Sequence, residues 1–266
     1  MIEISDPSFD LSQTQSYKLS IRLIPDGFCF AIFDIEKRLI HYSFHKHTVP
    51  ADNEFLKRSY EQVFFCCDSP SYTLLPQSIF QPELQNDYWR LNFGETNDKL
   101  LYDKVRLTDI VNLYSLDENP IFQQCNRMFP TMQVVHRQSI HINMAVMKNK
   151  QMNRPQLYLH TTDHSFDVLY LDKGKVILAN SFSFHKEDEF LYFVLNIFDQ
   201  LKLDQYQTEV LLPECFDGDL KNQLSQYLKN IITYTPQQKE LSDTLNKEEI
   251  AKQYTLLNVP FSISNN

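Results

Sequence analysis

Apolar and polar positions along this chain follow two rhythms, one with period two and one with the period of a helix. Tyr17 to Ile24 alternates in part, as a half-buried strand does. Pro25-Asp26-Gly27 is turn chemistry, with Gly27 free to take a positive φ. Phe28 to Phe33 is an unbroken apolar run, the pattern of a central strand buried on both faces. Asp34-Ile35-Glu36-Lys37 turns the chain, and Arg38 to Phe44 makes a third strand, which completes a meander.

Asp52 to Phe65 places Phe55, Leu56, Tyr60 and Val63 near one face and predicts a helix. After the break at Cys66-Cys67-Asp68-Ser69-Pro70, Tyr72 to Leu75 is a short strand closed by Pro76. Gln81 to Leu91 reads as a helix, and Leu100 to Leu107 and Ile110 to Tyr114 as strands. Asn119-Pro120 starts a helix that runs to about Met128, with the proline in its first turn. Met132 to His136 is a strand. The pattern of 138–147 fits helix or strand, and helix is the reading adopted.

The second half repeats this plan. Gln156 to His160, Phe166 to Leu171 and Lys175 to Phe182 are three strands, with Asp172-Lys173-Gly174-Lys175 as a hairpin turn. Glu187 to Leu203 is the strongest helix. Phe190, Phe193, Val194, Ile197, Phe198 and Leu201 form one apolar stripe, and Glu187, Asp188 and Glu189 occupy the first turn, where the helix dipole favours acid. Glu209 to Leu212 is a strand, Asp219 to Leu228 a helix, Ile231 to Thr235 a strand, and Asn246 to Gln253 a helical tail.

Residues 19–46 lie on residues 157–184 at a constant offset of 138. Leu19 meets Leu157, Phe28 meets Phe166, Asp34 meets Asp172, Lys37 meets Lys175, Ser43 meets Ser181 and Phe44 meets Phe182. A repeat of about half the chain implies two duplicated lobes. The expected division is a loose polar arm at 1–16, a first lobe at 17–152 and a second at 153–266. The order β-β-β-α-β-α-β gives each lobe a mixed sheet flanked by helices, an α/β class.

Two such lobes in tandem resemble the duplicated ribonuclease H-like architecture of the actin, sugar kinase and chaperone ATPase superfamily. The stretch Ser165 to Gln205 is also similar to an uncharacterised bacterial family assigned an actin-like ATPase fold. The resemblance rests on Ser-Phe-Asp-Val-Leu-Tyr-Leu from Ser165, Asn180-Ser181-Phe182-Ser183-Phe184 and Phe190-Leu191-Tyr192-Phe193. Leu19 to Phe44 fits it as well, and the likeness spans 17–258. It implies two tandem ribonuclease H-like lobes, and a nucleotide site in superfamily members that keep one.

Such a site binds phosphate in the turns of the two equivalent hairpins. Glycines there admit backbone amides to the phosphates, and an Asp in each manages magnesium. The positions that match are Asp26 and Gly27 in the first hairpin, and Asp163 and Asp167 in the second. The second hairpin, His160 to Asp167, has no glycine, and the strand Val210-Leu211-Leu212 leads into Pro213-Glu214-Cys215-Phe216-Asp217-Gly218 rather than a glycine pair. The chain holds four glycines, Gly27, Gly94, Gly174 and Gly218. The expectation is therefore a non-catalytic protein with no assigned cofactor, acting by interaction with a protein partner. The alternative is a divergent nucleotide-binding ATPase or kinase that uses Asp26, Gly27, Asp163 and Asp167.

Other chemistry is sparse. His41, His45 and His47 share a strand face, but alternate strand residues stand about 6–7 Å apart, too wide for one zinc ion across His41 and His45. The carboxylates Asp26, Asp34, Asp163, Asp167 and Asp172 invite a two-metal nuclease reading, yet Asp34 and Asp172 sit where turns favour Asp. Trp89 and Tyr88, on an expected exposed helix, suit a partner surface or the filling of a lobe interface. The chain carries 25 Lys and Arg against 34 Asp and Glu, a net charge of −9, without a basic block. That argues against a nucleic-acid partner. No run approaches the roughly 18 apolar residues of a membrane-spanning helix. The start of the chain does not read as a signal peptide, and five cysteines without a Cys-x-x-Cys spacing suit a reducing, cytoplasmic compartment.

Overall fold

A computed structural model describes residues 2–24, 27–46, 53–152, 154–161, 165–213, 216–234 and 253–262. The chain divides into two compact units. One is Met1–His141 with Gln237–Asn266, and the other is Ile142–Pro236.

In the first unit, β2 (Lys18–Ile24), β3 (Gly27–Phe33) and β4 (Leu39–Lys46) form the expected antiparallel meander. β5 (Gln62–Cys67) and β9 (Gln133–His136) extend it in parallel, and β1 (Ile2–Ser5) pairs antiparallel with β4. The order is β1-β4-β3-β2-β5-β9. One face carries Leu19, Ile21, Phe28, Phe30, Ile32, Val63 and Phe65. They pack with Phe122 and Cys125 of α2 (Pro120–Met128). The Asn119 side chain caps α2 by accepting the Phe122 N–H at 2.9 Å. The opposite face carries Cys29, Ala31, Phe33 and Tyr42 under Leu256 and Leu257 of α6 (Tyr254–Ser262). Between β5 and α2, β6 (Tyr72–Pro76), β7 (Lys99–Lys104) and β8 (Ile110–Leu116) make a separate sheet ordered β6-β8-β7. It packs with α1 (Gln85–Phe93) through Trp89, Leu100 and Leu113, so Trp89 fills this small core.

Several expectations differ from what forms. The helix over Asp52 to Phe65 does not form. Residues 54–57 turn, and Gln62–Cys67 is the strand β5. Its Val-Phe-Phe-Cys-Cys run is buried on both faces between β2 and β9, the mark of a parallel central strand, and that pairing overrides the short helical stripe. The arm at 2–16 is also ordered. Ile2 and Ile4 pack beside Tyr42, and Asp10 caps a 3-10 helix at Leu11–Ser16. Gln81 to Leu91 is a 3-10 turn at Pro82–Leu84 followed by α1. The ambiguous 138–147 stretch lies within α3 (Arg137–Met152), as adopted. The boundary between units falls inside α3 rather than at its end.

In the second unit, β10 (Gln156–Thr161), β11 (Ser165–Asp172) and β12 (Lys175–Ser183) repeat the meander. β13 (Glu209–Pro213) and β14 (Ile231–Tyr234) extend it in parallel, in the order β12-β11-β10-β13-β14. α4 (Glu187–Gln200) buries Phe190, Val194, Ile197 and Phe198, and α5 (Gly218–Tyr227) buries Leu220 and Leu224. The expected tail at Asn246 to Gln253 lies, except for Gln253, outside the described residues.

The duplication is visible in the hydrogen-bond register. Leu19 pairs with Ile32, and Leu157 with Tyr170, which keeps the offset of 138 in both strands. The register also breaks at matching places, Ile32/Phe33 and Tyr170/Leu171. The third strand departs by one residue. Phe30 pairs with Ser43, whereas its counterpart Val168 pairs with Asn180. A one-residue slip turns every side chain to the other face. Phe182 therefore matches His45 in position: Phe182 pairs with Phe166, and His45 with the counterpart Phe28.

Candidate functional site

Of the residues expected to serve a nucleotide, Gly27 and Asp167 are held within their own sheets. Gly27 lies inside β3, between Ile24 and Lys46, rather than at a left-handed turn position. A Cβ placed on it would sit 2.1 Å from the His45 carbonyl oxygen. The glycine is thus required by the close approach of β4, and the positive φ expected for it is not adopted. Asp167 is buried in β11, opposite His160, and accepts the Ser181 hydroxyl at 2.5 Å. Gly27 belongs to the first unit and Asp167 to the second. Asp26 and Asp163 lie outside the described residues. After β13, where the superfamily has a glycine pair, the Asp217 carboxylate accepts the Asp219 and Leu220 N–H groups at the start of α5.

The histidines of the first meander are core groups. His41 lies 4.0 Å from the Phe55 ring between centroids and also stacks on Phe30. Burial, then the neighbouring His45, pushes its pKa down to about 4. His47 is outside the described residues. Among the described residues, no three His, Cys, Asp or Glu side chains converge as a metal site.

A polar cluster that sequence reasoning missed lies where β2, β5 and β9 end. These strands are mutually parallel, so their carboxyl ends share one edge of the sheet. Such an edge is where open α/β sheets gather ligand-binding groups. Arg22 grips Asp68 through Nε at 3.0 Å and Nη2 at 2.6 Å. Burial pushes the Asp68 carboxyl up, but Arg22, Arg137 and His136 together hold it below its ordinary value. Asp103 of β7 accepts the Tyr114 hydroxyl at 3.1 Å and the His136 backbone N–H at 2.8 Å, at the entry to α3. A carboxylate suits a helix N-terminus. Burial nonetheless raises its pKa to about 6, against the bonds from Ser139, His136 and Tyr114. His136 Nδ1 faces the Gln138 N–H at 3.1 Å and the Asn112 amide at 3.0 Å, so it accepts. His136 Nε2 then donates to the Ser69 carbonyl at 2.9 Å.

This network ties the small inserted sheet to the large one and to α3, and its carboxylates are occupied by internal donors. Its thiols are not poised to react. Burial pushes Cys66 well above its ordinary value and Cys67 up to about 12. A thiol in that state stays protonated and is a weak nucleophile. What could have pointed here is Arg22 inside an apolar strand and Asp68 directly after a buried run. The residues are otherwise scattered singly along the chain.

The second unit holds a similar tie. Asn149 donates to Gln156 Oε1 at 2.9 Å, and Gln156 donates to Glu209 at 2.8 Å. Arg154 closes on Glu209 at 2.9 Å. Nearby, the Tyr234 hydroxyl and His160 Nε2 are 2.6 Å apart, and Lys148 lies 4.7 Å over the Tyr234 ring.

Comparison with known proteins agrees with this architecture. A protein with actin-like ATPase fold and unknown function from Bacteroides thetaiotaomicron VPI-5482 superposes with a TM-score of 0.76 at 20% identity, over 91% of this chain and 97% of that one. A chain of a PilM-PilN type IV pilus biogenesis complex gives a TM-score of 0.61 at 9% identity, over 93% and 98%. These likenesses establish the actin-like fold. No curated protein matches in sequence. Among the described residues, no helix is long and apolar enough to cross a membrane. A family profile matches residues 6–231, and the chain therefore belongs to the family described as "Protein of unknown function (DUF3822)".

Proposed function

We propose that this chain is a non-catalytic protein of actin-like fold that works in the cytoplasm by binding a protein partner. The observation that carries this reading is Gly27. In a phosphate-binding hairpin the glycine leaves room for a ligand, and here the His45 carbonyl takes that room. The engagement of Asp167 by Ser181 supports the same reading, because a magnesium-managing carboxylate needs its oxygens exposed to metal and water. The PilM-PilN structure adds that one chain of this fold is found in a complex with a second protein.

Thermal unfolding with and without magnesium-ATP tests the proposal. A ligand at about 100 times its dissociation constant adds roughly 2.7 kcal/mol to the native state. The expected result is an unchanged midpoint at millimolar nucleotide. A magnesium-dependent rise would overturn the reading in favour of a divergent nucleotide-binding protein.

A further inference from the structure

The ends of the two large sheets are short, with one exception. β1, β9 and β14 are each four residues long, whereas β12 has nine. Short edge strands, covering segments, charges, prolines and bulges are the means by which folded chains keep their edges from pairing. The duplicated architecture shows this chain using one of them. β4, the counterpart of β12, is covered along His41–Phe44 by β1. Allowing for the one-residue slip, the equivalent stretch of β12 is Leu178–Ser181, and among the described residues no strand lies against it. The bulge that both meanders share falls before this stretch, at Ile177, and leaves Leu178–Ser183 in regular register with β11. That segment, Leu-Ala-Asn-Ser-Phe-Ser, has neither charge nor proline. Leu178, Ala179 and Phe182 are half-buried, and Ile177 is 52% exposed.

The charges at its two ends are of opposite sign. Lys173 and Lys175 outnumber Asp172 at the start of β12, and Glu187, Asp188 and Glu189 outnumber Lys186 just beyond its end. An antiparallel neighbour of the same sequence would bring the basic end of each copy beside the acidic end of the other. Two identical edges meeting antiparallel about a two-fold axis make an isologous interface, the commonest in homo-oligomers. We infer that β12 is a self-association edge, pairing antiparallel with β12 of a second copy of this chain, so that two five-stranded sheets become one continuous sheet. The pairing uses backbone N–H and C=O groups of Leu178–Ser183, with the Asn180 side chain giving up the Ser181 N–H that it accepts at 2.9 Å, and covers Ile177 and Phe182. It is independent of the partner-binding reading above, which neither gains nor fails with it.

Sedimentation velocity over a dilution series of the full chain tests this. The wild-type protein is expected to approach twice 31.6 kDa at high concentration and to dissociate on dilution. Asn180 is exposed and its side chain accepts the N–H of its own neighbour Ser181, so Asn180→Lys should leave the fold intact while setting two like charges across the axis. Its association should be weaker by at least about tenfold, with an unchanged circular dichroism spectrum. Amide exchange at Leu178–Ser183 should slow at high concentration in the wild type and not in the variant. A wild-type monomer at every concentration overturns the proposal. So does a dimer that survives Asn180→Lys with no concentration-dependent protection in β12, since that dimer would use another surface.

Discussion

His41 and Asp103 are ionisable groups that desolvation moves in opposite directions. An unfolded His41 takes up its proton near pH 6.5, and the folded one does not until about 4. Stability is therefore lost as the pH falls from 6.5 towards 4, by about 3 kcal/mol from this group. Asp103 does the reverse. Its unfolded carboxyl holds a proton only below about 3.8, and the folded one holds it up to about 6. Its contribution is complete below 3.8 and lost as the pH rises through 6. Because the residue is half-buried, solvent screening reduces this to about 2 kcal/mol. The two nearly cancel across one window in the wild type. Urea unfolding at pH 6.5 and pH 4 should separate them. Asp103→Asn should lose about 2 kcal/mol more than the wild type on acidification, and His41→Phe about 3 kcal/mol less. Variants whose acid profiles run parallel to the wild type would show that neither group titrates as its surroundings dictate.

At the scale of the element, the close passage of β3 and β4 at Gly27 makes a sharp distinction. If the glycine serves backbone packing, Gly27→Ala should cost about 2 kcal/mol or more, because a backbone carbonyl cannot give way as a flexible side chain can. Gly218→Ala meets nothing within 4 Å and should stay within about 0.5 kcal/mol. Equal, small effects in chemical denaturation would return Gly27 to the role of a free turn. These hairpins also show what was legible in the sequence. α4 was readable because its stripe continues over several turns and its first turn is acidic. β2, β3, β10 and β11 were readable because their offset holds in sequence and in register alike. β5 was not, because Phe55, Leu56 and Tyr60 from the preceding turn complete a helical stripe with Val63 by accident, and only the pairing with β2 and β9 decides the matter. The matched Phe44 and Phe182 misled for a related reason, since a one-residue slip leaves the letters aligned and the faces exchanged. The polar cluster was invisible because Arg22, Asp68, Asp103 and His136 are brought together by four different strands or strand ends, with no spacing that a motif could capture.

For the whole molecule, the consequence of duplication is a principal hydrophobic core in each of the two units. One is built on Leu19, Ile21, Phe28 and Phe30, and the other on Leu157, Phe166, Val168 and Phe190. A core is the cooperative unit of unfolding, and a chain with two of them need not melt in one step. Calorimetry on the full chain should resolve two transitions. Leu224 is fully buried in the second core, so Leu224→Ala should remove about 3 kcal/mol there. For a unit of about 100 residues that lowers one midpoint by roughly 10 °C or more while the other stays in place. Ile21→Val, in the first core, should shift the other transition by a smaller amount, with a cost of about 1 kcal/mol. A single transition that both substitutions move together would mean that the two units share their cooperativity. In that case the helix α3, which begins in one unit and ends in the other, is the element through which to look for the coupling.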